Sequence, residues 1–200
     1  MMNEFAPNGF SAIILAGGAG SRMGREKCSI LLDKKSLLDR TIDLLIPFSD
    51  EILISSNTLS NPYRGYRVIQ DMVKGQGPLA GLSATLGKIS APAAVVLPCD
   101  TPLVPEQVLR RLCSEYRGLI TVLSIGEKIQ PLCGIYPASF QPVFQQALEN
   151  GELKLQWLLR QLDATILDLK SISPDTDPAC FLNINTPDSL EMARQLLDKT

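Results

Sequence analysis

The chain contains no histidine among its 200 residues. That absence excludes the Ser-His-Asp triad, the commonest general base and the usual nitrogen ligand of zinc. Chemistry must then rest on backbone amides, Lys, Arg and carboxylates, with or without a metal, and phosphoryl or nucleotidyl transfer can run on those groups. Charge of either sign is equally scarce: 19 Lys and Arg stand against 21 Asp and Glu, a net −2. Bulk electrostatics therefore offer no pull toward nucleic acid or anionic membranes, and any anion site must be built locally. No apolar run approaches the length that spans a bilayer, and the first nine residues lack the basic and apolar regions of a secretory leader. The five cysteines, at 28, 99, 113, 133 and 180, are scattered without C-x-x-C spacing. They read as reduced thiols of a cytoplasmic protein.

What is present suits one globular α/β domain over residues 1–200, with 45 % hydrophobic and 20 % charged residues. Residues 10–15 form a short apolar run entering a glycine cluster, the pattern of a buried parallel strand. Ser36 is placed to cap a helix whose apolar positions run from Leu37 to Ile46 before Pro47 ends it. Strands follow at 51–55, 67–69 and 93–97, with a glycine loop and helix over 75–88 between the last two and a helix over 105–116 behind them. Residues 119–124 and 132–136 read as an antiparallel pair joined by a polar connection at 126–130. Helices at 139–150 and 155–162, a strand at 165–169 and a helix at 188–198 complete the chain. The alternation predicts a doubly wound, mostly parallel sheet, whose ligands bind beyond the carboxyl ends of the strands. The first glycine loop, Asp71 with the loop behind it, and Asp100 all fall at such ends.

The stretch Leu15-Ala16-Gly17-Gly18-Ala19-Gly20-Ser21-Arg22-Met23-Gly24-Arg25-Glu26-Lys27 is the most informative. Its small residues let the backbone approach phosphates with N–H groups pointing inward. Arg22 offers a bidentate fork to phosphate oxygens, and Lys27 a compact point charge. A structural glycine turn with solvated charges is the plainer reading. The spacing matches neither the P-loop G-x-x-x-x-G-K-[ST] nor the dinucleotide G-x-G-x-x-G pattern, which disfavours a Walker ATPase and an NAD enzyme.

As written, L-A-G-G-x-x-x-R-M-G-x-x-K after an N-terminal strand resembles the signature of the molybdenum cofactor guanylyltransferase family. Three later segments resemble that family's motifs in order: Asp71 followed by Gly77-Pro78-Leu79-Ala80-Gly81, then Pro98-Cys99-Asp100-Thr101-Pro102, then Asn183-Ile184-Asn185-Thr186-Pro187-Asp188. The resemblance covers nearly the whole chain. It implies a Rossmann-like nucleotidyltransferase fold of GT-A type, with a nucleotide-binding part at about 10–103 and an acceptor-binding part at about 104–200. The implied reaction moves GMP from GTP to the phosphate of molybdopterin, forming the guanine dinucleotide cofactor and pyrophosphate.

By this resemblance Leu15, Ala16, Gly17, Gly18, Lys27, Ser55, Asp71, Gly77, Gly81 and Asp100 bind nucleotide. Arg22, Lys27 and Asp100 carry catalysis, with Asp100 the ligand of Mg2+, a hard cation that keeps waters and takes further ligands from phosphates. Arg22, Asn183 and Asn185 contact the acceptor. The asparagines alternate with Ile184, so in an extended segment both amides face one way. Asp71 can accept from the N1–H and exocyclic NH2 of guanine, a donor pair that cytosine does not present. Structural alternatives stand beside each role: a helix cap or turn for Asp100, an Asx-turn for Asp71, and turn stabilisation for the asparagines.

Two positions depart from the family pattern. Ser55 stands where some members carry Asn, with Asn57 two residues on, and Gln130-Pro131 replaces a frequent His-Pro. The competing functions are a cytidylyltransferase or sugar-phosphate nucleotidyltransferase on the same scaffold, and a non-catalytic cofactor-delivery protein. Expected partners are GTP, molybdopterin, and, transiently, proteins that supply molybdopterin or receive the finished cofactor, with no nucleic acid and no membrane.

Overall fold

The computed structural model of the chain describes residues 9–17, 27–71 and 76–198. Nine strands and seven α-helices are assigned within these residues. Strand β1 (Phe10–Leu15) is followed by a small hairpin of β2 (Leu31–Leu32) and β3 (Lys35–Ser36), helix α1 (Leu37–Leu45), β4 (Ile52–Ser55) and β5 (Arg67–Ile69). Helix α2 (Gly77–Leu86), β6 (Ala93–Pro98), α3 (Glu106–Glu115), β7 (Thr121–Ile125) and β8 (Lys128–Pro137) come next. The remainder comprises α4 (Gln141–Glu149), α5 (Leu155–Gln161), β9 (Thr165–Asp168), α6 (Leu169–Ile172) and α7 (Pro187–Leu197).

Seven strands form one sheet in the order β5-β4-β1-β6-β8-β7-β9. The β5-β4-β1-β6 half is parallel throughout, β8 runs antiparallel to both β6 and β7, and β9 is parallel to β7. The chain winds outward from β1 through β4 to β5, then returns to place β6 on the other side of β1. The expected doubly wound, mostly parallel α/β architecture is what forms, with the switch point between β1 and β6.

The alternation of side chains along β1 and β6 supplies two cores. Ala12, Ile14, Val95 and Leu97 pack toward α1 and α3, while Ile13, Leu15, Ala94 and Val96 pack toward α2, α4 and α5. A third, smaller cluster joins Ile30, Leu32 and Leu37 to Ile184 and Ala193, and so seats α7 against the hairpin. Helix starts follow local chemistry. Ser36 accepts from the Asp39 amide at 3.0 Å to cap α1, and Thr186 with Ser189 forms a capping box ahead of Pro187.

Some boundaries differ from the sequence expectation. The connection expected over 126–130 shrinks to a two-residue turn, because Ile125 pairs with Lys128 and Ser124 with Ile129, and Gly126 takes a φ of 57°. The register between β7 and β8 then shifts at Val122/Leu123. That bulge lets Pro131, which has no N–H for the ladder, sit inside a ten-residue strand. Helix α1 stops at Leu45, and a 3-10 turn over Ile46–Phe48 carries Pro47. The β2–β3 hairpin and the four-residue α6 lack the periodicity that would announce them. Among the described residues no helix is long and apolar enough to cross a membrane.

Candidate functional site

The parallel strands deliver their carboxyl ends to one edge in a single row. Leu15 is level with Ser55 on one side and with Pro98 on the other, and Ser55 is level with Ile69. The row continues past the strands through backbone bonds, from Ala16 N–H to Ser55 O at 2.9 Å, Cys99 N–H to Leu15 O at 3.1 Å and Ser56 N–H to Ile69 O at 3.0 Å. Segments distant in sequence, 15–17, 55–57, 69–71 and 98–100, therefore line the switch point together.

On the β4–β5 side a polar cluster surrounds Asp71. Ser55 Oγ donates to Asp71 Oδ1 at 3.3 Å, and Asn57 Nδ2 donates to Asp71 Oδ2 at 3.2 Å. Asn57 also takes the backbone N–H of Asp71 on its own Oδ1 at 2.9 Å. Burial pushes the Asp71 carboxyl above the usual range, against the opposing pull of the hydrogen bonds from Asn57 and Ser55. Helix α2 closes over this cluster at Gly81, where a Cβ would collide with Ser55 Oγ and come within 3.3 Å of Asp71 Oδ1. Glycine is required there for close approach. Gly77, exposed at the first turn of α2, has a φ of +70°, which glycine adopts without strain.

Across β1, Asp100 lies half-buried two residues beyond β6. Its carbonyl oxygen accepts from the Ile184 amide at 2.8 Å, so Asn183 and Asn185 flank the chain at this point. Asn183 is exposed, whereas the Oδ1 atom of half-buried Asn185 is shielded and finds no hydrogen-bond partner among the described residues. Such an atom is costly unless a ligand or solvent satisfies it. Among the described residues no group of three or more His, Cys, Asp or Glu side chains is placed to hold a metal ion. Mg2+ needs only one or two protein carboxylates and completes its shell with water and phosphate oxygens, so the hard carboxylate of Asp100 suits it without such a group.

The glycine loop leaves β1 between these two groups. Leu15 and Ala16 are buried, Gly17 is exposed, and Cys28 Sγ donates to Ala16 O at 3.4 Å where the chain returns. Lys27 begins the 3-10 turn Lys27–Ser29. Gly18 and Arg22, together with the Lys27 side chain, lie outside the described residues.

Two adjoining cavities open beside Asn183. The larger, about 520 Å3, has an apolar floor of Phe181, Leu182, Met192 and Leu196 with Lys128 and Asn183 at its polar wall. The smaller, about 180 Å3, reaches Pro98 and Thr101 and shares Lys128, Gln130, Phe181 and Asn183 with the first. The β8 residues Lys128 and Gln130 thus come to the same cavity as Pro98 and Thr101, a placement that depends on where the hairpin turns. Asn57 and Lys128 are absent from the residues that motif reading assigns to the site. Asn57 was visible only as an amide displaced by two positions from the family's, and Lys128 carried no motif signal.

A family model for the MobA-like NTP transferase domain matches residues 12–165. The chain is 34 % identical over 191 residues to the molybdenum cofactor guanylyltransferase of Vibrio vulnificus, covering 93 % of this chain and 95 % of that one. It is 31 % identical over 182 residues to a probable molybdenum cofactor guanylyltransferase of Flavobacterium johnsoniae, at 90 % and 94 % coverage. In structure it is similar to molybdopterin-guanine dinucleotide biosynthesis protein A from Archaeoglobus fulgidus, with a TM-score of 0.79, 27 % identity and coverage of 96 % and 100 %. The motif order, the switch-point geometry and these matches agree, and the chain belongs to the MobA-like NTP transferase family that includes the molybdenum cofactor guanylyltransferases.

Proposed function

We propose that the protein transfers GMP from GTP to the terminal phosphate of molybdopterin, releasing pyrophosphate and forming the guanine dinucleotide cofactor. The observation that carries this reading is the single row across the strand ends, with a carboxylate suited to a base beyond β5 and a carboxylate suited to a metal beyond β6, on either side of the β4 and β1 ends. A nucleoside triphosphate laid across that row puts its base at Asp71 and its phosphates between the loop and Asp100.

In the reaction a phosphate oxygen of the acceptor attacks the α-phosphorus of GTP, and the bond from the α-phosphorus to the bridging oxygen of pyrophosphate breaks. A phosphate monoester with a second pKa of about 6 is largely dianionic at neutral pH. No enzyme base is needed, which accords with a chain devoid of histidine. The protein aligns the two phosphates and stabilises charge. Lys27 and the loop amides serve the triphosphate, Arg22 and the Asn183–Asn185 amides the acceptor, and the cavity walled by Lys128 and Asn183 receives the pterin end. Asp100 holds Mg2+, which when bound neutralises phosphate charge. The five free cysteines suit the reducing cytoplasm, where proteins that supply molybdopterin and receive the product would meet this one transiently.

The test is turnover by purified protein of GTP, CTP, UTP and ATP side by side, with molybdopterin as acceptor and Mg2+ present. Pyrophosphate should appear with GTP in step with the dinucleotide. Faster turnover of CTP would overturn the guanylyl assignment, and binding without pyrophosphate release would make the protein a delivery module.

A further inference from the structure

Asp71 lies in a loop beyond a three-residue edge strand, a position in which a side chain is seldom held in one orientation without help. Here the help comes from Asn57, fourteen residues earlier, through two bonds that engage both the backbone and the side chain of Asp71: its Oδ1 accepts from Asp71 N–H at 2.9 Å and its Nδ2 donates to Asp71 Oδ2 at 3.2 Å. Together they close a ring that fixes the Asp71 carboxylate relative to its own main chain.

The loop carrying Asn57 is itself anchored. Buried Ser56 extends the β4–β5 ladder with its N–H to Ile69 O at 3.0 Å, and its Oγ accepts from the amides of Thr58 and Leu59, each at 3.3 Å. Ser55 Oγ restrains the other carboxylate oxygen at 3.3 Å, and the absence of a side chain at Gly81 leaves room for that pair under α2.

The count of lone pairs gives the arrangement its meaning. An ionised carboxylate offers about four acceptor sites. Ser55 occupies one on Oδ1 and Asn57 one on Oδ2, so each oxygen retains acceptor capacity. A purine edge with two adjacent donors, such as the N1–H and exocyclic NH2 of guanine, needs one acceptor on each oxygen.

We infer that Asn57 is a positioning residue for base selection, holding the Asp71 carboxylate in the orientation that accepts two hydrogen bonds from the guanine edge. This rests on the guanylyl reading above. Asn57 need not touch the nucleotide to do so, because its two bonds act on Asp71 alone.

The experiment compares wild type, Asn57→Ala and Asn57→Asp in steady-state turnover of GTP and CTP, with melting temperatures alongside. For Asn57→Ala the ratio of kcat/KM for GTP over CTP should fall by about tenfold or more, mostly through the KM for GTP, since a loosened reader loses binding rather than chemistry. Asn57→Asp keeps an acceptor for the Asp71 amide but sets one carboxylate against another. Its acid limb of GTP binding should move to higher pH than in wild type, because like charge favours the protonated form. An unchanged GTP to CTP ratio in Asn57→Ala, with only a lower melting temperature, would reduce Asn57 to a loop brace and overturn the inference while leaving the guanylyl reading intact. A wild type that does not prefer GTP would overturn both.

Discussion

The Ile184 amide donates to the carbonyl oxygen of Asp100 at 2.8 Å, so the Asn183–Asn185 segment is tied to the main chain of Asp100 by a bond that does not depend on the Asp100 side chain. Changing the Asp100 side chain should therefore spare the architecture. Asp100→Asn is expected to fold normally and to lose about a hundredfold or more of its Mg2+-dependent turnover, as an amide gives up the charge that holds a hard cation. Circular dichroism and initial rates across a Mg2+ titration check both halves, and near wild-type rates would remove Asp100 from the metal site.

Lys27 follows the glycine loop and carries the point charge assigned to the triphosphate. Lys27→Ala should lower kcat by about a hundredfold, the usual cost of one preorganised electrostatic group, with little change in melting temperature. A loss of thermal stability at unchanged kcat would make Lys27 a surface charge.

In the proposed function Asp71 meets the base with two acceptors, and Asp71→Asn keeps only one of them beside a donor. The ratio of kcat/KM for GTP over CTP should drop by about tenfold or more, while the maximal rate changes less. Because burial raises the Asp71 carboxyl above its ordinary range, equilibrium GTP affinity should weaken on the acid side as the group protonates, and Asp71→Asn should lose that dependence. An unchanged ratio would transfer base reading to the backbone at 77–81 or to Ser55.

Gly81→Ala should place a methyl group against Ser55 Oγ. The gain in helix propensity of about 1 kcal/mol is set against an overpacking cost of about 1–3 kcal/mol, so the melting temperature should fall modestly while the KM for GTP rises. The double variant Ser55→Gly with Gly81→Ala should recover the melting temperature without recovering selectivity, since Asp71 loses its Ser55 bond. Recovery of both would detach this contact from base recognition.

Far from the site, at the amino ends of the strands, Glu51 accepts from Ser11 Oγ at 2.5 Å and from Ser90 N–H and Oγ at 2.8 and 2.9 Å. Burial alone would raise its carboxyl, but the bonds from Ser11 and Ser90 and the nearby Arg67 outweigh it and hold the group below its ordinary range. A depressed folded pKa stabilises the protein above the unfolded value of about 4.3, and that contribution is lost as pH falls through the folded pKa. Melting temperature should fall more steeply with acid in wild type than in Glu51→Gln, with kcat for GTP unaffected near neutral pH. Parallel curves would show that Glu51 is not linked to folding.

The α/β class and the positions of β1 and β6 were legible in the chain, since short buried runs entering glycine or aspartate have few other readings. Asp71, Asp100 and the Asn183–Asn185 pair could likewise be named as candidates, because each is a polar residue placed just after a strand or before a capped helix. Pairing was not legible. That Leu15 stands between Ser55 and Pro98, that Asn57 grips Asp71 and that Ile184 binds Asp100 are facts of strand order and register, formed across separations of 14 to 84 residues. Local propensity decides which segments become strands and helices, but an amide two residues past one strand meets a carboxylate two residues past the next only when the sheet sets both at one edge and Gly81 lets α2 close over them.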